Sequence, residues 1–534
     1  MVQLDSVSPL VRRLGALLLG TSLSLGAIAA CGDDKEGGGD GSGCASTEVD
    51  EFPDGPLGHP EEVTFDGFDC PEGGLAGVDL NGRWSLAGPG QFNFQMPLIH
   101  QSCEDGLAID LDASGDPLIH LDDTNLFIRE AIIREDFSLV NATRVCGVPG
   151  SDELAVAFVQ CFDAPDLDEP QCSSGPGAMK RFARPEGESD AEGLELVSEW
   201  RGGDQPWPPL ITTNVKVADG VAFLSSYGVG GQGGDLRLVD VSDPASPSDL
   251  GVVRSEDDPT ADFNDVKLFQ AKGGTFAILA GGLCPIVDAR DPANPVVVSR
   301  LGEYAHSIFI RYDDKGHPLA YLANYDVDTP IFDLSDPAHP VLVERVPNPP
   351  SAAGDGSAVA VHDLFAEPDR LYLNGTTDGF VIMDRAGADW TEGGRMQSDG
   401  YSHASWTGEV AGRRIAIHGD EGFNAHLRVV DIDPASKEFM TTIGEYQTRP
   451  EVSIHNMMLF GDRVYLTHYH DGVRILDLSD PTSPELVAYY HTWDVDSGPP
   501  GPFEGAIGLD VDLEAGLIWV ADIDRGLLVL RETE

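Results

Sequence analysis

An all-β fold dominated by a seven-bladed β-propeller is predicted by three observations: a recurring strand-then-turn signature, the period of that signature, and the number of strands between its copies. The clearest copy is Val473-Arg474-Ile475-Leu476-Asp477-Leu478-Ser479-Asp480-Pro481-Thr482-Ser483-Pro484. It is an apolar, β-branched run that ends in an aspartate, followed by a Ser-Asp-Pro turn and a second proline. Further copies lie at Asp240–Pro247, Asp288–Pro295 and Asp333–Pro340, with degenerate ones at Asp384 and Asp431–Pro434. The six aspartates are 45 to 51 residues apart, the span of a propeller blade and not of a shorter helical repeat. Asp and Ser side chains can hold nearby backbone N–H groups, and proline fixes φ while withholding a ladder donor. Each copy therefore reads as a strand and a hard stop.

Each repeat divides into four strand-like segments, A to D from the axis outward. In the sixth repeat they start at Met457, Arg463, Val473 and Leu486, with Gly461-Asp462 as the A–B hairpin turn. Strands A begin near Val215, Val266, Ile308, Leu364, Ser405, Met457 and Leu509, which gives seven blades. The seventh carries only A to C, so Leu194–Glu199 is expected to supply its strand D and close the ring, pairing edges otherwise open to aggregation. The Leu-x-Ile/Val-Val-Asp-Val-Ser-Asp-Pro-x-x-Pro pattern resembles the LVIVD-repeat family of bacterial surface propellers across residues 194–534. Departures at Asp384-Arg385-Ala386-Gly387 and Leu530-Arg531 leave those two blades assigned by spacing. The resemblance implies a propeller on an exported, often anchored protein; it implies no reaction, because fold alone supplies none.

Upstream, Arg12-Arg13 precede an apolar run from Leu14 to Ala30, and Ala29-Ala30 stand directly before Cys31. Residues 1–31 thus resemble a bacterial lipoprotein signal peptide, which implies cleavage and lipidation at Cys31. The run falls short of the ~20 apolar residues of a membrane span, so membrane contact is expected through the lipid alone. Gly32 after Cys31 favours the outer membrane, with the body periplasmic or surface-exposed. Residues 32–60 are rich in Gly, Asp and Pro and read as a flexible acidic tether with a reach of about 30 Å.

Residues 62–190 lack the repeat but carry alternating apolar segments around Trp84, Leu107, Leu126, Leu154 and Met179, which predict a small all-β domain. Asn81-Gly82-Arg83-Trp84 is similar to the opening strand of lipocalin-like barrels. Cys44, Cys70, Cys103, Cys146, Cys161 and Cys172 form an even set in an exported region, so disulfides of open connectivity are expected. Cys284, alone in the repeats, reads as a small buried side chain. Asp110–Asp116 matches the front half of a calcium loop, but Leu121 stands where the twelfth-position glutamate belongs. A hairpin turn is the competing reading.

Thirty-three Lys and Arg against 90 Asp and Glu give a net charge of −57, which excludes nucleic acid as a partner. Gly228–Gly233 satisfies a dinucleotide fingerprint by letter only, since it joins two strands with no following helix. One constellation carries chemistry. His306, His362, His403 and His455 occupy matching positions just before strand A in four consecutive blades, while Thr213, Asn264 and Ile507 stand there in the other three. Four imidazoles at equivalent places on the innermost strands would converge on the axis, where they could hold Zn, Cu or Fe. His418, His468, His470 and Asp363 are candidates for further ligands or supporting groups. The competing reading is a set of hydrogen bonds inside each blade, copied by duplication. Two functions follow: a non-enzymatic binding module for a protein, glycan or matrix component, or a metal-dependent enzyme or sensor built on the histidines.

Overall fold

The computed structural model describes residues 45–46, 75, 78–87, 94–103, 106–110, 118–121, 126–133, 138–147, 153–163, 171–202, 211–228, 233–254, 262–397 and 400–533. The signal segment with Cys31 and nearly all of the tether lie outside them. Among the described residues every regular element is a β-strand, and no helix is long and apolar enough to cross a membrane. The chain forms two compact units, residues 1–183 with 495–502, and residues 184–494 with 503–534.

The first unit is an antiparallel sheet. In spatial order its strands are Ala45–Ser46, Gly106–Asp110, Leu98–Cys103, Gly82–Ala87, Gln171–Arg181, Glu153–Asp163, Ser138–Cys146, Leu126–Ile133 and Leu118–Leu121, with Phe94–Gln95 also on Gly82–Ala87. Alternation buries Trp84, Leu126, Leu154 and Met179 in one cluster. The Trp84 indole N–H donates to the Leu80 carbonyl at 2.8 Å. Arg83 donates to the Met96 and Val495 carbonyls at 2.6 and 3.1 Å, fixing the 495–502 segment of this unit. Cys161 and Cys172 form a disulfide between adjacent strands, and Cys146 is also disulfide-bonded. The turn expected at 110–116 falls almost entirely on residues outside the described set; the strands on either side of it, Gly106–Asp110 and Leu118–Leu121, pair with Leu98–Cys103 and Leu126–Ile133.

The second unit is the seven-bladed propeller. Its innermost strands are Ile211–Ala218, Asp265–Ala271, Ser307–Tyr312, Asp363–Glu367, Tyr401–Val410, Met457–Phe460 and Ala506–Asp512, each followed by an antiparallel A–B–C meander. Leu194–Trp200 pairs antiparallel with Gly526–Glu532 and supplies strand D of blade 7, as expected. Just before it, Ala191–Glu192 adds a fifth strand to blade 6. The core lies between neighbouring blades: Ile278 and Ile286 of blade 2 pack with Ile308 and Leu322 of blade 3, and Ile417 and Val429 of blade 5 with Leu466 and Leu476 of blade 6. Cys284 is a buried free thiol, and burial pushes its pKa up to about 12.

The Ser-Asp-Pro turns close on themselves as the side-chain chemistry predicts. Asp477 accepts from the Ser479 N–H at 2.7 Å, and Asp480 from the Thr482 N–H at 3.0 Å. They also join blades. Every strand D has a register shift opposite its strand C, a β-bulge that turns one residue toward the next blade's turn. That residue is Ser198, Gly251, Ser299, Glu344, Gly394, Gly444 or Ala488. Ser198 and Ser299 donate to the Pro244 and Pro337 carbonyls at 2.6 and 2.5 Å. Gly251 and Gly444 pack so closely on the Pro292 and Pro481 carbonyls that no Cβ would fit. Blade 4 lacks the Pro motif, and there Trp390 and Arg385 bond Glu344 of blade 3 instead.

Candidate metal centre

The histidine position faces the axis because of the backbone there. In blades 1, 5 and 7 the register of strands A and B shifts across Thr213, His403 and Ile507, so each is the extra residue of a bulge, a device that re-aims a side chain. In blades 3, 4 and 6 strand A starts just after His306, His362 and His455. His403 therefore lies inside its strand and not before it. The four imidazoles form a continuous arc, with ring centroids 4.0 Å apart for His306–His362, 4.3 Å for His362–His403 and 4.3 Å for His403–His455.

A second axial ring comes from the end of strand B. Strand pairing makes Tyr227, Gly282, Tyr325, Thr376, Glu421, Tyr469 and Ile523 equivalent in blades 1 to 7. Glu421 meets the arc: its carboxylate oxygens lie 3.9 Å from His403 Nε2 and 3.9 Å from His455 Nε2. The Tyr469 hydroxyl donates to Glu421 Oε1 at 2.6 Å. One nitrogen of His362, one of His403 and one oxygen of Glu421 all lie within 4.8 Å of one another, and all three residues are buried. Tyrosines flank the arc, with Tyr325 5.6 Å from His306, Tyr401 5.3 Å from His362 and Tyr469 5.1 Å from His455 between centroids.

Burial sets the charge state of the cluster. It pushes His306 and His455 down to about 4 and holds His362 and His403 well below the ordinary imidazole value, with the neighbouring histidines adding to the effect. The imidazoles are thus neutral and keep a lone pair. Burial raises Glu421 to about 7 against the Tyr469 hydrogen bond, and it holds Tyr227, Tyr325 and Tyr469 well above 10. His455 Nδ1 bonds the Ile507 carbonyl at 2.7 Å and His306 Nδ1 the Asn264 amide at 3.0 Å. Both bonds cross to a neighbouring blade, so the blade-internal reading does not describe them. Nδ1 of His362 and of His403 makes no well-formed hydrogen bond among the described residues, although each ring also interacts with the backbone of the next blade's histidine, His403 and His455. Two neutral imidazoles and a carboxylate form a donor set suited to zinc, copper or non-haem iron.

The supporting residues are placed differently. His418 lies within strand B of blade 5, against Phe380 at 5.2 Å, and its Nε2 meets Ser402 Oγ at 2.9 Å. His468 Nε2 faces Thr448 Oγ1 at 3.3 Å, and the His470 ring sits edge-on to Trp493 at 4.7 Å. None of the three is among the gathered ligand atoms; Tyr469, between two of them, is the residue that reaches the axis. Asp363 belongs to the axial layer one residue further along strand A. Ser307 Oγ lies 2.7 Å from Asp363 and 3.0 Å from Asp265, whose other partners are Lys267 at 2.7 Å and Asn214 at 2.5 Å.

The fold and site define a seven-bladed β-propeller with an imidazole–carboxylate cluster on its axis. The family described as LVIVD repeat matches residues 218–254, 319–347 and 455–492, in blades 1, 3 and 6. No curated protein matches the chain. Among solved structures it is similar to YCF48 bound to D1 peptide (11% identity, 65% of this chain and 96% of that one, TM-score 0.42). It is similar to BamB from Moraxella catarrhalis (12%, 60% and 85%, 0.37) and to PorZ, a surface component of the type-IX secretion system of Porphyromonas gingivalis (12%, 82% and 61%, 0.40). At these scores the likenesses carry no argument about ligands.

Proposed function

We propose that this chain is an exported envelope protein, anchored by a lipid on Cys31, whose propeller is a ligand-binding module centred on a transition metal ion. His362, His403 and Glu421 hold the ion, and His455 stands next to them as a further ligand. The observation that carries the reading is the meeting of three ligand atoms within 4.8 Å in a buried site. Two points support it. The imidazoles are neutral, so their lone pairs are available, and Nε2 of both His403 and His455 lies 3.9 Å from the Glu421 carboxylate. A divalent cation would draw these atoms together and offset the buried carboxylate. The Cys161–Cys172 disulfide fits an oxidising compartment. A protein or glycan partner on a propeller face has no specific residues to carry it, so the proposal rests on the axis.

Elemental analysis of the purified protein after exposure to Zn, Cu and Fe tests this. About one equivalent of one metal is expected, and it should be lost in the His362→Ala/His403→Ala variant. Metal well below stoichiometry in the unaltered protein, or full metal in a folded double variant, overturns the proposal.

A further inference from the structure

We propose that the metal centre has an open side toward blades 2 and 3, and that its exogenous ligand is a small neutral hydroxylated aromatic molecule, a phenol or catechol. This rests on the metal reading above. The first ground is the asymmetry of the two axial rings. At the blade 5 and 6 end the cluster is closed: Tyr469 is fully buried, its hydroxyl is used by Glu421, and Phe503 packs on it at 5.0 Å. At the other end the ring position in blade 2 is Gly282, which has no side chain, next to half-buried His306 and Tyr325. Tyr304, 41% exposed, leads from there to solvent.

The second ground is the lining of that side. Tyr304 and Tyr325 lie 6.5 Å apart between centroids, Tyr325 lies 5.6 Å from His306 and 6.3 Å from His362. These are the offset and tilted spacings at which planar rings attract. A planar guest reaching the metal from blade 3 meets the ring faces of Tyr304 and Tyr325 and the Tyr304 hydroxyl, which accepts from Asn264 at 3.4 Å, while the Tyr325 hydroxyl bonds Tyr401. The third ground is charge. A chain of net charge −57 disfavours anions arriving from bulk. Cations are disfavoured by the metal itself. A neutral phenol escapes both penalties and becomes a ligand on arrival: its O–H bond breaks as the oxygen–metal bond forms, and the proton passes to solvent.

The test uses the full chain loaded with Cu(II), its metal content fixed by elemental analysis, and 4-nitrocatechol as the probe in mildly acidic buffer, where the probe is still neutral. A saturable change in the visible spectrum at one equivalent of probe is expected, with the metal still on the protein after gel filtration. Tyr325→Ala should weaken probe binding about three- to tenfold, the scale of one aromatic contact, at unchanged metal content. Tyr304→Ala, a change at an exposed site, should weaken it in the same direction. Failure to take up metal overturns the metal reading and this inference with it. A loaded protein with no saturable spectral change overturns the inference alone, as does probe binding unaffected by both variants or removal of the metal by the probe.

Discussion

Glu188 shows how much one side chain can decide in this molecule. Its carboxylate accepts from Arg474 Nη1 at 2.6 Å and His491 Nε2 at 2.8 Å, tying the strand-free stretch before blade closure to blade 6. Burial alone would raise its pKa, but the hydrogen bonds and charges of His491 and Arg474 outweigh burial and bring it down to about 2. A depressed carboxylate contributes stability that is complete above its unfolded value near 4.5 and is lost as pH falls toward about 2. Because Glu188 is partly solvated, the contribution is discounted for screening to about 1–2 kcal/mol. Glu188→Gln should therefore lower the urea midpoint at pH 7, and the gap from the unaltered protein should close as pH drops from 4.5 to 2; an equal gap at both ends contradicts this role. At the centre, the histidines could be found from the sequence because duplication put them at one repeat position. Glu421 could not, because the register shift at His403 hides that it is the strand-B counterpart of Tyr469. The recurrence of tyrosine at one strand-B position, in Tyr227, Tyr325 and Tyr469, is the signal in the sequence that marks the second ring.

Most A to C strands of the propeller were legible because they are short, apolar and ended or followed by Asp or Gly, so local chemistry and tertiary place agree. The role of the Ser-Asp-Pro signature was only half legible. Its Asx turns follow from local bonding, whereas the clasp with the preceding blade depends on a bulge in strand D that no local pattern announces. The clasp predicts a ranking at Gly444. A Cβ there runs into the Pro481 carbonyl oxygen, so Gly444→Val should cost about 1–3 kcal/mol, the usual penalty of overpacking. Gly444→Ser should cost less, since at the equivalent position Ser299 turns the contact into a hydrogen bond of 2.5 Å to Pro337. Denaturant midpoints of the two variants check this; equal losses would mean that the turn does not clasp strand D. In the first unit the strands were legible but their order was not. Alternation marks a strand's buried face and says nothing about which strand lies beside it.

For the whole molecule the net charge of −57 matters more than any single ion pair. Acidic side chains in such excess repel one another in the compact state and draw cations toward any cleft. Both effects weaken as salt shortens the Debye length from about 30 Å at 0.01 M to about 3 Å at 1 M. They act in opposite directions on two observables. Relief of self-repulsion should raise the melting temperature steadily with NaCl, because the unfolded chain keeps its charges further apart. Loss of long-range attraction should slow divalent metal uptake at the axis by about tenfold or more between 0.01 and 0.5 M. Metal release should change little, since His362, His403 and Glu421 are buried and poorly screened. Stopped-flow uptake and release of Co(II) at constant pH, run beside thermal melts in the same buffers, separate the two. Uptake that is independent of salt would mean that the ion reaches the centre without help from the surface field, and a melting temperature that falls with salt would mean that surface ion pairs outweigh the repulsion.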